Sequence, residues 1–425
     1  MTPSVDSTPA ASDDRVPWTR LSCCAGVYTA PTALVVAPAL ADARVLAATG
    51  WAPPALTLAS SLMFVASAPG AIVGSSAADQ AGRRPVAVWT SVGVGLCLAV
   101  AAAAPATHKG EVLYVALRVA GGFVSGGTAP AAFSWAMELT PPRARTRATT
   151  AMNVLWVLGP LAIAALHVAT RHASWRIEAL GLALAPFAAA FIARAVVPES
   201  PEFLAARAAP PTQREPDVYG LVEHLDPDVV AADAPSAPLP EAAPKDPLAR
   251  LWRDHRRPLF PLILSWACVS AAYYGLAYSA GALSKRVVLN FVLLNLADVP
   301  GYFAAGRLTA SWGAEPVMVL FSCLAMLSLV LVALGAPALV GIFGKFCTAG
   351  MFQQVYAMTT ERFPAPVRAS AFGVCRVAAM LATFFAPPLA RAAARDPAAF
   401  LAFALMAGVA AACALALRRS PGEGS

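Results

Sequence analysis

Apolar runs of roughly twenty residues follow one another along this chain, with short polar breaks between them. They fall at about 21–41, 55–77, 86–104, 112–135, 148–168 and 177–197. After a polar interval they resume at about 258–281, 287–309, 316–334, 337–357, 369–390 and 398–417. Each run is long enough to cross about 30 Å of hydrocarbon as a helix. The runs do not alternate as barrel strands do, and lipid admits only helices or closed barrels. The pattern therefore predicts an all-α, multi-pass membrane protein with six plus six transmembrane helices. The first run is the weakest, because Pro31 and Pro38 interrupt it.

The interval at 198–257 reads differently: it is rich in Pro, Ala and charge, as in DAPSAPLPEAAPKDP. Such composition predicts a flexible linker, with one short helix around Leu248–His255. The organisation expected is a tail at 1–20, a six-helix bundle at 21–197, the linker at 198–257, a second bundle at 258–417 and a tail at 418–425. The first 20 residues are polar and lack the basic start and cleavage site of a signal peptide. Placing both tails and the linker inside puts 18 Lys and Arg on the inner side against 8 outside, out of 31. That bias predicts cytoplasmic termini.

Composition agrees. Charged residues make up 13% of the chain, against about 25% in soluble domains, and 58% are hydrophobic. The eight cysteines form no CxxC and do not pair with histidines at metal spacing, so neither a disulfide framework nor a metal or other cofactor is expected. The net charge of +7 is scattered between apolar runs; it reads as loop charge and not as a nucleic-acid face. The five histidines lie in loops and span ends without ligand spacing, and no nucleophile has a placed base, so an enzyme is the least favoured class.

The halves repeat. Glu138-Leu-Thr-Pro-Pro-Arg-Ala-Arg145 follows the fourth run and Glu361-Arg-Phe-Pro-Ala-Pro-Val-Arg368 follows the tenth. Both read E-x2-P-x3-R at the same place in their half, the mark of an internal duplication common in transporters. After the second run comes Asp79-Gln-Ala-Gly82-Arg83-Arg84. Gly82 supplies the freedom of a tight turn. Asp79, Arg83 and Arg84 are then placed to form a charge latch with Glu138 and Arg145, or simply to anchor the inner loop. Glu361 and Arg368 are the matching gate candidates in the second half.

These residues resemble a known superfamily. D-x-x-G-R-R after the second run, Arg118-x-x-x-Gly122 in the fourth and the six-plus-six pattern look like the major facilitator superfamily. Finer motifs resemble its organic ion branch, the organic cation and anion transporters of solute carrier family 22. They are Ser174-Trp-Arg176, Val197-Pro-Glu-Ser-Pro201, Tyr273-Tyr-Gly-Leu276, Asp298-Val-Pro-Gly301 and Gly344-Lys-Phe346 through Arg368. The chain departs from that branch in a short loop at about 42–54 without cysteine or sequon, and in a second turn reading Ala310-Ser-Trp-Gly-Ala-Glu315. It reads as a divergent, shortened member.

The resemblance implies the major facilitator fold, a plasma-membrane carrier of small organic ions, and aromatic residues of the seventh run, Tyr273 and Tyr274, against the substrate. It also implies that substrate sign is set seven residues before the proline ending the eleventh run, here Met380 counted from Pro387 or Leu381 counted from Pro388, and two after the proline of the eighth, here Tyr302. All are neutral. What remains is the balance of charges inside the runs, which are costly and so functional candidates. Arg118, Lys345 and Arg376 stand against Asp298. A surplus of positive charge in a low-dielectric cavity favours anions.

Each charge also has a structural reading: Arg118 packing between helices, Lys345 and Asp298 pairing with neighbours, Arg376 reaching the inner face. Glu178 and Arg194 read as interfacial. The expected function is a monomeric, lipid-embedded organic ion transporter working by alternating access, organic anions favoured. The alternative is a transport-inactive receptor or scaffold on the same fold.

Overall fold

A computed structural model describes residues 15–208, 247–363 and 365–419. Among them the secondary structure is helical throughout, apart from turns. Ten helices are long and apolar enough to cross a membrane, and a bent pair, Trp18–Val35 and Pro38–Thr49, brings the number to eleven. The remaining long helix is Ala338–Arg362, which carries Lys345, Gln353 and Gln354 among its apolar residues. We number the spans one to twelve in chain order. Spans two, three, four and six are Pro53–Ala81, Arg83–Ala102, His108–Glu138 and Trp175–Val196. Seven, nine and twelve are Arg256–Tyr278, Ala314–Ala333 and Phe400–Arg419.

Besides the bent first span, three spans are broken. The fifth is Arg145–Trp156 then Leu158–Ala169, the eighth Val287–Leu296 then Asp298–Trp312, and the eleventh Ala365–Thr383 then Ala386–Ala393. Each break lies just before a proline: Pro160, Pro300 and the Pro387–Pro388 pair. A proline lacks the N–H that would bond the carbonyl four residues back, so each helix loosens there.

The first span corrects the sequence reading. It ends at Thr49, and the expected loop at 42–54 shrinks to the few residues before Pro53. Pro38 opens its helix instead of ending one, because the first helical position needs no N–H. The chain bends by 44° at this point. Asp42 and Arg44 are thereby drawn into a helix.

The duplication is visible in the packing. Span two packs on four as eight packs on ten, and span three packs on six as nine packs on twelve. Spans two and four approach backbone to backbone: a Cβ on Gly74 would lie 2.3 Å from the Gly127 Cα. Small residues permit such contact in lipid, where burial alone drives little association. The turns after spans two and eight share one device. Gly82 has φ 111° and Gly313 has φ 82°, both in the region that disfavours any side chain.

Two short helices lie on the linker side, Pro201–Ala208 and Pro247–Asp254. The second covers the segment around 248–255 where the sequence predicts one. The expected tail at 1–14, the linker at 209–246 and the end at 420–425 lie outside the described residues.

Candidate substrate site and gates

Four of the sequence candidates meet in one buried cluster in the second half. Asp298, in the first turn of the second segment of span eight, pairs with Lys345 of span ten at 2.9 Å. Both side chains are out of solvent, at 1% and 0% exposure. The Tyr273 hydroxyl donates to Asp298 Oδ2 at 2.6 Å, and Lys345 Nζ sits 3.0 Å from the centre of the Tyr273 ring. Tyr302 donates to the Tyr273 hydroxyl at 3.4 Å. A buried ion pair holds together only when its remaining valences are met. Here the phenol bonds Asp298 Oδ2 and the ring face meets the ammonium, while Asp298 Oδ1 rests on the ion pair without a hydrogen bond.

Arg376 is placed otherwise. It is half-buried, and its guanidinium donates to the Tyr356 hydroxyl at 3.3 Å. Tyr274 and Tyr28 lie within electrostatic reach of it. No carboxylate lies within ion-pair distance of it among the described residues. The partners come from spans one, seven and ten, so the cation stands where the two halves face each other.

Aromatic rings continue from it. Tyr356 meets Trp266 edge-on at 4.5 Å and Phe352 at a tilt at 5.7 Å. Phe352 meets Tyr273 at 4.9 Å, and Tyr274 meets Phe64 of the first half at 5.2 Å. Met380, one helical turn beyond Arg376, is partly buried and packs against the apolar cores of both halves. Arg118 lies apart. It donates to the Leu34 carbonyl at 2.9 Å and to Ser60 at 3.2 Å, inside the first half.

The gate candidates gather on the linker side. Arg83 bridges Asp79 and Glu138, the latter at 2.9 Å. Arg84 and Arg145 take other partners. The Arg84 backbone N–H donates to Glu199 Oε1 at 3.1 Å, and its guanidinium donates to the Arg194 carbonyl. Arg145 pairs with Glu202 and donates to the carbonyls of Met137 and Thr140, so it does not join Glu138. Glu199 therefore sits at the start of span three, where free N–H groups favour a carboxylate. A Cβ on Gly82 would come within 2.4 Å of Glu199 Oε2.

The second half keeps the device with the signs exchanged. Glu315, two residues after Gly313, accepts from Arg362 at 2.6 and 3.0 Å. Arg362 also donates to the Leu417 carbonyl. Glu361 is exposed beside this pair, and the Arg368 side chain lies outside the described residues. In the first half a base follows the turn glycine and an acid ends the fourth span. In the second half an acid follows it and a base ends the tenth. The reversed order is legible in the sequence once Glu315 is aligned with Arg84.

The opposite face holds residues that sequence reasoning missed. Arg391 of span eleven donates to the Pro53 carbonyl and lies 3.7 Å from Asp42. Tyr278 donates to the Val35 carbonyl. These bonds join the two halves, whereas the linker-side pairs Arg83–Glu138, Arg145–Glu202 and Arg362–Glu315 each stay inside one half. Glu178, expected at an interface, is 2% exposed. It accepts from Arg44 at 2.6 Å and contacts His167 Nδ1 at 2.7 Å.

The Major Facilitator Superfamily model matches residues 21–295. The chain belongs to the major facilitator superfamily. Its relatives are transporters. NiaP of Bacillus subtilis, named for niacin and nicotinamide, is 24% identical over 79% of this chain and 78% of its own. The solute carrier family 22 member 15-like protein of Xenopus tropicalis is 28% identical over 78% and 69%. Mouse organic anion transporter 3 is 23% identical over 73% and 59%.

Solved structures give the same fold. A D-xylose-proton symporter superposes with TM-score 0.71 at 14% identity, over 95% of this chain and 97% of that one. The inward open xylose transporter XylE from E. coli gives 0.69 at 14% identity, over 95% and 96%. The molecule is thus a multi-pass integral membrane transporter of the major facilitator type, built as six plus six helices.

Proposed function

We propose that this major facilitator carries small organic ions, anions in preference, by alternating access. The observation that carries the reading is Arg376. Lys345 spends its charge on Asp298, and Arg118 is tied to a carbonyl and Ser60. Arg376 has no carboxylate partner among the described residues; it donates to Tyr356, with Tyr274 of span seven and Tyr28 of span one within electrostatic reach. An unneutralised cation in a site of low dielectric attracts an anion. The rings offer flat faces to an organic group.

The placement of the bonds between the halves supports alternating access. Those described, Arg391 with Pro53 and Asp42 and Tyr278 with Val35, lie on the side away from the linker, which fits a carrier resting open toward the linker side. Taking that side as cytoplasmic follows the excess of Lys and Arg there. The plasma membrane and a monomeric state complete the proposal. The receptor reading draws on the divergent second turn and on the neutral Met380 and Tyr302; Gly313 with the Glu315–Arg362 pair removes the first of these grounds and favours the carrier.

The test is uptake into proteoliposomes of labelled aromatic monocarboxylates and of quaternary ammonium compounds, for the wild type and Arg376→Gln. Saturable uptake of a carboxylate that the variant loses supports the proposal. Saturable uptake of cations alone, or no saturable uptake of either class, overturns it.

A further inference from the structure

On the linker side, Pro247–Asp254 and the first turn of span seven form one basic, amphipathic platform. Leu251 is fully buried and packs into the core of the second half with Leu259 and Val367. This seats the short helix on the ends of spans seven and eleven and fixes its orientation. Its other face carries Trp252, exposed and set edge-on against exposed Phe260 at 5.7 Å.

Around these rings stand Arg250, Arg253, Arg256 and Arg257. Among the described residues, Asp254 is the acid that pairs with two of them. Asp254 lies 2.9 Å from Arg253 and 3.8 Å from Arg250. Arg256 and Arg257 are exposed, and no described carboxylate pairs with either.

Span seven fixes the height of the platform, because it enters the hydrocarbon directly after Arg257. Aromatic rings settle at the level of the headgroups. Four arginines immediately flanking a transmembrane helix on an amphipathic segment form the pattern that binds anionic lipid. Guanidinium is suited to a phosphate oxygen because its N–H groups form a rigid fork. We infer that Trp252, Phe260, Arg253, Arg256 and Arg257 form a binding site for the headgroup of an anionic phospholipid. The rings lie at the acyl boundary and the unpaired arginines hold the phosphate.

The experiment places a photo-crosslinking amino acid at position 252 of the full chain. The protein is reconstituted in phosphatidylcholine nanodiscs with and without phosphatidylglycerol, and lipid adducts at that position are counted by mass spectrometry. The expected result is about tenfold enrichment of phosphatidylglycerol over its share of the bilayer. The variant Arg253→Gln, Arg256→Gln, Arg257→Gln should lose it. Arg256→Lys with Arg257→Lys should keep most of it. Lys285→Gln with Arg286→Gln, on the opposite face, should leave it intact. All these side chains are exposed, so an unchanged melting midpoint serves as the folding control. Equal capture of the two lipids, enrichment that survives the triple Gln change, or crosslinking to copurified protein in place of lipid would each overturn the inference.

Discussion

Asp298 neutralises Lys345: the two meet at 2.9 Å across spans eight and ten, with neither side chain in contact with solvent. Breaking such a pair from one side leaves a buried charge uncompensated, at a cost of about 3–5 kcal/mol. Replacing both partners with apolar groups removes that penalty. Asp298→Leu alone should therefore unfold the protein at markedly lower temperature. The double change Asp298→Leu, Lys345→Met should recover most of the loss. A double-mutant cycle on melting midpoints checks it. Additive losses would show that the pair is not coupled.

Arg376 should behave in the opposite way. It has no described carboxylate to orphan, and its bond to Tyr356 is a single one at 3.3 Å. Arg376→Gln should change stability by no more than about 1 kcal/mol, the size of one hydrogen bond. It should abolish anion uptake, while Arg376→Lys retains part of it. Melting midpoints read alongside uptake separate this outcome from misfolding. Collapse of the fold in the Gln variant would assign Arg376 a structural role.

The two cations looked alike in the sequence. Lys345 and Arg376 each interrupt an apolar run, and hydropathy assigns them the same standing. What divides them is Asp298, 47 residues before Lys345 in the chain, brought beside it by the packing of span eight on span ten. The fold itself was legible, because lipid demands about 20 predominantly apolar residues for each helical crossing.

The far-side contacts were not legible. Pro38 reads as a breaker in a linear pattern yet starts a helix in the structure. Asp42 therefore looked like loop charge, and its proximity to Arg391 stayed hidden. Glu199 stood inside a quoted motif, but only the folded chain shows it beneath Gly82.

The far-side closure should depend on Arg391, which reaches both the Pro53 carbonyl and Asp42 across the halves. Arg391→Gln keeps some hydrogen-bonding capacity but loses the charge. The expected outcome is a shift of population toward states open on the far side. Spin labels on the exposed positions Ala52 and Arg395 report it by double electron–electron resonance. The distance distribution should gain a longer component in the variant, and Asp42→Asn should produce a smaller gain of the same kind. Identical distributions in all three proteins would remove Arg391 from the gate.

The two turn glycines provide a matched comparison. Both take positive φ with extended ψ, 111° and 153° at Gly82 and 82° and 169° at Gly313, so alanine at either pays a conformational penalty of about 1–3 kcal/mol. The surroundings differ. A Cβ on Gly313 would meet nothing within 4 Å, whereas one on Gly82 would lie 2.4 Å from Glu199 Oε2 and 3.2 Å from the Phe203 ring. Gly82→Ala must therefore also push Glu199 away from the start of span three and loosen the Pro201–Ala208 helix. It should lower the melting midpoint well beyond Gly313→Ala. Shortening the carboxylate with Glu199→Asp in the Gly82→Ala background should return part of the difference, because the side chain that obstructs the new Cβ is then smaller. Equal losses at the two glycines would mean that backbone strain alone governs these turns and that Glu199 is a bystander.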